Sequence, residues 1–336
     1  MKRREMTGRE YRKPISKHPP RYCDSSERRI VIAPFSRKIK GKWDEEYVVA
    51  RIIANMNIVG RWLSCIMPNL YFESGLRSGL MVTMSAPSQS IDPTMSFPGD
   101  VDILAIPYDE NDLVLSETIA IEIKVLRGDR QRPGKSPNKF GYSQAASLLN
   151  HGFPHVAVGH VIVTDDPLNN PDRSMFVASV GKGGFITSCE TVKLDMFEND
   201  LAKRDFGRLA CNRSNEQIGY FVMNYDGERI FEPMGHSCIR NQKYCERLAD
   251  CVYRYYKENY ELFFEIPRYS DSEIKLWEKR IEENPAIETP WGVYRKLFRG
   301  ERIQEVDTLL AMIDGRNRIG YLCRTKGQDF FLCDMS

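Results

Sequence analysis

Histidine is scarce and cysteine is dispersed in this chain. Five histidines are spread over 336 residues, and the nine cysteines (23, 65, 189, 211, 238, 245, 251, 323 and 333) include no Cys-x-x-Cys pair. An odd, scattered set argues against a disulfide framework and reads as the reduced thiols of a cytoplasmic protein. His236, Cys238, Cys245 and Cys251 lie close in sequence, but the last two stand six apart in a helical pattern. That spacing does not share a helix face, which counts against structural zinc. No Walker-type glycine loop is present, so an ATP-driven step would need a separate subunit, and no Ser/His/Asp set competes for nucleophilic catalysis. Nor is there an apolar run of the ~18 residues that a transmembrane helix needs. The charged N-terminus has no apolar stretch after it and does not read as a secretory signal.

What is present is an ordinary globular composition, 42% hydrophobic and 28% charged, with length for one large domain or two smaller ones. The net charge of +2 conceals an asymmetry. Residues 1–42 carry fourteen Lys or Arg against four Asp or Glu, leaving 34 against 42 in the remainder. This first stretch, with Lys2, Arg3, Arg4, Arg9, Arg12, Lys13, Lys17 and Arg21, reads as a basic flexible arm. Either sequence-independent attraction to a polyanion or simple solubilisation accounts for it.

Along the chain, residues 43–59 read as a helix with apolar residues at 48, 49, 52, 53 and 56 and acids in its first turn. An extended region at about 70–85 leads through a Ser/Pro loop to an acidic strand start, Pro98-Gly99-Asp100-Val101-Asp102, followed by the apolar run to Ile106. A polar turn at 109–112 precedes a second strand, Thr118–Val125. Residues 127–139 form a basic Gly/Pro loop, a helix at about 140–151 stops at Gly152-Phe153-Pro154, and Val156–Val163 is a further strand. Beyond 167, strands are expected near 174–180 and 217–224, and helices at about 239–264 and 271–284. The segment Trp291–Arg299 mixes aromatics with bases, which suits nucleic-acid stacking but suits an amphipathic helix with a solvated basic face better. No internal repeat is evident.

The chemistry concentrates on the two strands. In the second, Ile119, Ile121, Ile123 and Val125 share one face, while Glu122 and Lys124 share the other. If the strands pair, Asp102, Glu122 and Lys124 converge. Two acidic oxygen donors beside an ammonium make a Mg²⁺ site with a group able to stabilise charge on phosphate or polarise a water. The plain alternative is a Glu–Lys pair on a solvent face with Asp102 as a turn residue. A Glu-x-Lys tripeptide alone carries little weight: Glu273-Ile274-Lys275 repeats it in a helical stretch with no acidic strand before it.

Taken together, Gly99-Asp100-Val101-Asp102, Glu122-Ile123-Lys124 and Tyr142-Ser143-Gln144 resemble the PD-(D/E)XK nuclease superfamily. The element order over 43–164 is similar to its α-β-β-β-α-β core, and the likeness covers about 120 residues. It implies an α/β fold with a mixed central sheet over 43–167 and a C-terminal α+β region over 168–336 for recognition, dimerisation or partner docking. It further implies that Asp102 and Glu122 hold Mg²⁺ or Mn²⁺, with Asp100 a second ligand or the solvent end of its strand. Lys124 would orient the nucleophile or stabilise the developing charge, and Gln144 would assist. Many members add a glutamate on the first helix. Glu45 faces the same way as Val48, Val49 and Ile52, and Glu46 aligns with Val49 and Ile53. Arg127, Arg130, Arg132, Lys135 and Lys139 are candidate phosphate contacts.

The expectation is a divalent-metal-dependent nuclease acting on DNA, in a setting consistent with restriction or defence, working as a homodimer or with an accessory subunit and away from membranes. Its competitor is a catalytically silent nuclease-like protein that binds nucleic acid or assembles complexes.

Overall fold

The computed structural model describes residues 10–19, 44–53, 56–73, 75–95, 99–130, 140–164, 173–180, 186–194, 197–225, 234–269, 271–283, 321–325 and 328–332. Two compact units divide the chain: Met1–Asp165 with Glu198–Leu276, and Asp166–Phe197 with Trp277–Ser336.

The first unit opens with a short strand, β1 (Arg12–Pro14), and the helices α1 (Glu45–Ile53), α2 (Met56–Ile66) and α3 (Pro68–Glu73). Then come β2 (Ser78–Pro87), the single turn α4 (Ser88–Ile91), β3 (Asp100–Asp109), β4 (Asp112–Val114) and β5 (Ile119–Gly128). Helix α5 (Tyr142–His151) crosses to β6 (His155–Thr164). The second unit contributes a hairpin of β7 (Arg173–Val180) and β8 (Ile186–Leu194). The chain then returns to the first unit through α6 (Phe197–Asn212), β9 (Ile218–Asn224), β10 (Met234–His236), α7 (Glu246–Glu258) and β11 (Phe264–Pro267). Helix α8 (Asp271–Glu283) and a hairpin of β12 (Tyr321–Thr325) and β13 (Gln328–Leu332) follow.

The class is α/β with a mixed central sheet. Among the described residues nine strands form it, in the order β1-β4-β3-β5-β6-β9-β10, with β2 on the other edge of β3 and β11 beyond it. The β5–β6 and β6–β9 pairs are parallel and the rest antiparallel. All ten residues of β6 are buried, as a strand between two parallel neighbours with both faces covered must be. The period-two pattern of β5 sends Ile119, Ile121 and Ile123 into the core. There they join Val48 and Ile52 of α1, Trp62 and Ile66 of α2, and Ile103 of β3. Trp62 stacks on Phe221 of β9 at a centroid distance of 6.1 Å.

Several expected boundaries move. The single helix over 43–59 is two helices, α1 and α2, and residues 68–73 are helical, so the strand begins only at Ser78. The helix expected over 239–264 spans 246–258, because Phe264–Pro267 pairs with the open edge of β2. Part of the basic arm is a strand: Arg12–Pro14 pairs with β4, and the Tyr253 hydroxyl donates to the Pro14 carbonyl at 3.0 Å. Most of residues 1–42 and the segment 291–299 lie outside the described residues.

The largest difference concerns the domain boundary drawn at 167. Residues 198–276 belong with the first unit, since they supply β9 and β11 to its sheet and Phe221, Met223, Phe264 and Ile266 to its core. Losing several fully buried side chains at ~2–5 kcal/mol each exceeds the stability of an ordinary domain. A fragment ending at residue 167 is therefore expected to show no cooperative thermal transition by circular dichroism, whereas the full chain shows one.

Candidate functional site

β3 is paired with β2 along its whole length, from Ser78↔Asp109 to Pro87↔Asp100. On its other edge it meets β5 at only three positions, Ile103↔Ile121, Leu104↔Ala120 and Ala105↔Ile119. Past Ile121, β5 continues beside β6 as far as Gly128↔Thr164. The two strands thus form a fork, and the amides of β5 that face it have no ladder partner. Side-chain carboxylates take their place. Ile123 N–H donates to Asp102 Oδ2 at 2.7 Å, and the Val125 amide dipole favours the charged form of Glu45 from α1.

Glu122 projects into the fork from β5 and is 1% exposed. Its Oε1 lies 2.6 Å from Lys124 Nζ. The contact is an ion pair, and no donor meets this buried oxygen at hydrogen-bonding angles. Lys124 Nζ also stands 3.6 Å from Glu45 Oε1. The fork opens into a cleft of about 150 Å³ whose walls include Glu45, Glu46, Asp100, Asp102, Lys124 and Gln144.

The electrostatics follow from crowding three carboxyl groups around one ammonium. Burial pushes Asp102 well above the usual carboxylate range, and the charges of Glu122 and Glu45 push the same way. Burial also raises Glu122 and Glu45, in each case against the pull of Lys124. Burial alone would lower Lys124, but its contact with Glu122 and the charges of Glu45 and Asp102 win, so its pKa is raised and it stays an ammonium. The cluster is short of positive charge.

A divalent cation fits that deficit. The donors are hard oxygens, Glu122 Oε1 is buried without a hydrogen bond, and Mg²⁺ commonly takes one or two carboxylates and keeps water on its other positions. A cage supplied wholly by protein is not present: among the described residues no three His, Cys, Asp or Glu side chains are grouped to hold a metal ion as they stand. Asp102 is turned to a backbone amide and Glu122 to Lys124.

The structure brings Asp102, Glu122, Lys124 and Glu45 together and puts Asp100 and Gln144 on the cleft wall. Between the two helix glutamates, Glu45 makes the lysine contact, while Glu46 lines the cleft. Arg127 is exposed at the end of β5 and Arg130 is half-buried. Arg132, Lys135 and Lys139 lie outside the described residues.

Three contributors escaped the sequence reading. Gly141 precedes α5 with φ +81°, and a Cβ there would stand 3.0 Å from Glu122 Cγ and 3.7 Å from Lys124 Cγ. Glycine is needed for both backbone and space, and its place just before the glutamine helix was the available signal. His160 pairs through Nδ1 with Asp205 at 2.6 Å and faces the Phe140 carbonyl through Nε2 at 3.2 Å, bracing the turn that carries Gly141. Ser85, also on the cleft wall, has a left-handed backbone. Comparison with protein-family models, with curated proteins and with solved structures found no match for this chain.

The raised carboxyl groups fix a sign for the pH dependence. Between the ordinary carboxylate pKa and the raised folded values, the folded protein binds protons that the unfolded chain has released. The contribution to stability is therefore full at low pH and is lost as pH rises through the folded values. Asp102→Asn, which keeps an acceptor for Ile123 N–H, is expected to raise the thermal midpoint at pH 8 by a few degrees. That gain should vanish near the pH where free carboxylates titrate, as scanning calorimetry across pH would show.

Proposed function

We propose that this chain is a divalent-metal-dependent nuclease that hydrolyses DNA phosphodiester bonds, built on a PD-(D/E)XK-like core. The observation that carries the reading is the fork itself, in which Glu45, Asp102, Glu122 and Lys124 meet beside a cleft also lined by Asp100 and Gln144. Asp102 and Glu122, with Glu45 and Asp100 nearby, are the residues to hold Mg²⁺ or Mn²⁺. When bound, such an ion neutralises charge at the phosphodiester and acidifies water.

The chain's own groups divide the remaining work. Lys124, held beside Glu122 and Glu45, is the positive charge the site offers to the scissile phosphate. Glu122, buried at its side, holds the ammonium in place. Gln144 brings a neutral amide that can orient water or a phosphate oxygen. Arg127, exposed near the end of the same strand, is a candidate contact for the nucleic-acid backbone. Restriction or defence, with a second copy or an accessory subunit, is the setting that suits such an enzyme.

One observation favours a second reading, a nuclease-like protein that binds without cutting. Asp102 accepts from the orphaned Ile123 amide of β5, and Glu122 and Glu45 pair with Lys124, so the same residues also have structural work.

Cleavage of plasmid and linear DNA with Mg²⁺ or Mn²⁺ separates the two. The nuclease reading expects Lys124→Ala to slow cleavage by on the order of a hundredfold to a thousandfold, the scale of losing one charge-stabilising group. Glu122→Ala should do at least as much, and DNA binding should survive in both. A wild-type protein that binds DNA and the metal yet leaves every substrate intact selects the silent reading. Divalent cation is also expected to raise the thermal midpoint of the wild type and not of Glu122→Ala; an equal rise in both would remove the metal from this site.

A further inference from the structure

Two non-glycine residues among the described ones hold a left-handed backbone, Ser85 (φ 48°) and Glu110 (φ 56°). Glu110 is explained by its turn: Asp109 pairs with Asp112, so Glu110–Asn111 is the two-residue connection of a hairpin, where positive φ is required. Ser85 has no turn to require it. It lies inside β2, and the ladder to β3 keeps its register on either side, at Met84↔Ile103 and Ala86↔Val101. Those two pairs bracket Ser85 opposite Asp102. A left-handed residue bearing a Cβ is a standing cost to the fold that glycine would avoid, and such strain gathers where function holds it in place.

The cleft supplies the function. Ser85 is on its wall, and its hydroxyl has no hydrogen-bond partner among the described residues. Glu45, Glu46, Asp100 and Asp102 repel a phosphodiester, while Lys124 is already engaged by Glu122 and Glu45. Ser85 and Gln144 are the neutral side-chain donors on that wall. We infer that Ser85 is a substrate-contacting residue whose hydroxyl donates a hydrogen bond to a phosphate oxygen of the DNA strand in the cleft. The inference rests on the nuclease reading of the same site.

Two substitutions in the full-length chain separate the hydroxyl from the strain. Ser85→Ala keeps the Cβ and removes the hydroxyl; Ser85→Gly removes both. Each is compared with wild type and Glu122→Gln for single-turnover cleavage of a DNA duplex in Mn²⁺, for duplex affinity in Ca²⁺ and for thermal midpoint. Loss of one hydrogen bond to a charged group should slow cleavage roughly tenfold or more in both Ser85 variants. The midpoint should stay put for Ser85→Ala and rise by a few degrees for Ser85→Gly.

Cleavage by Ser85→Ala within about twofold of wild type, with Glu122→Gln inactive, removes the role of Ser85 and leaves the nuclease reading standing. A Ser85→Gly variant no more stable than wild type overturns the strain on which the inference stands. If the wild type binds the duplex without cutting it, affinity decides: weaker binding by Ser85→Ala supports the phosphate contact, and equal binding removes it. A wild type that neither binds nor cuts overturns both the nuclease reading and the contact.

Discussion

A β-strand cannot part from its neighbour without leaving amides exposed along the inner edge, and here β3 and β5 part after three residue pairs. Each amide buried in such an opening without an acceptor costs about 1–3 kcal/mol. Asp102 provides an acceptor from the neighbouring strand, and Glu45 adds a second carboxylate from the helix packed over β5. The remedy creates a second problem, because Glu122 enters the same opening and carboxylates accumulate faster than positive charge. Lys124 answers only part of that excess. Fold and site are thus set by one geometric event: the opening that needs acceptors is also the opening that attracts a cation.

The neighbourhood of the opening is braced from behind. His160 occupies the position on β6 that pairs with Lys124, is fully buried, and connects β6 to Asp205 of α6 and to the Phe140 carbonyl. Tyr142 donates its hydroxyl to the Leu209 carbonyl, a second link between α5 and α6. On the far side of the same strand, His155 faces Glu117 at 2.8 Å. Buried polar groups joined in this way favour one arrangement of their surroundings, since breaking the contact leaves both partners buried and unpaired. The turn that presents Gly141 to Glu122 is held through the contact of His160 with the Phe140 carbonyl.

Local patterns carried much of this into the sequence. Alternation along 119–125 separated the core isoleucines from Glu122 and Lys124, and the acid before an apolar run marked Asp102. Gly152 marked the end of α5, where it has φ +99°. What stayed hidden depends on partners distant in sequence. Glu45 and Glu46 are nearly equivalent on a helical wheel, and only the position of α1 over β5 distinguishes them. The helix expected as far as residue 264 ends earlier, and Phe264–Pro267 pairs with the free edge of β2 as a strand that the sequence pattern did not mark. Ser85 and Gly141 owe their importance to backbone torsion, which hydrophobic periodicity does not encode. The boundary at 167 failed because it was drawn where the family-like element order ends, and that order does not say that the chain later returns to the same sheet.

That return has a consequence for how the protein is made. β6 is a wholly buried, mostly apolar strand, and the neighbour that covers its outer edge, β9, begins only at Ile218. During synthesis the chain must pass through the second unit's β7–β8 hairpin before β9 arrives. Until then β6 presents an unprotected edge of the kind that recruits other strands. Parallel pairing across so long an interval is also slow to form. The nascent chain is therefore most prone to aggregation between the emergence of residue 164 and that of residue 224, and it is in this interval that a chaperone would act on it.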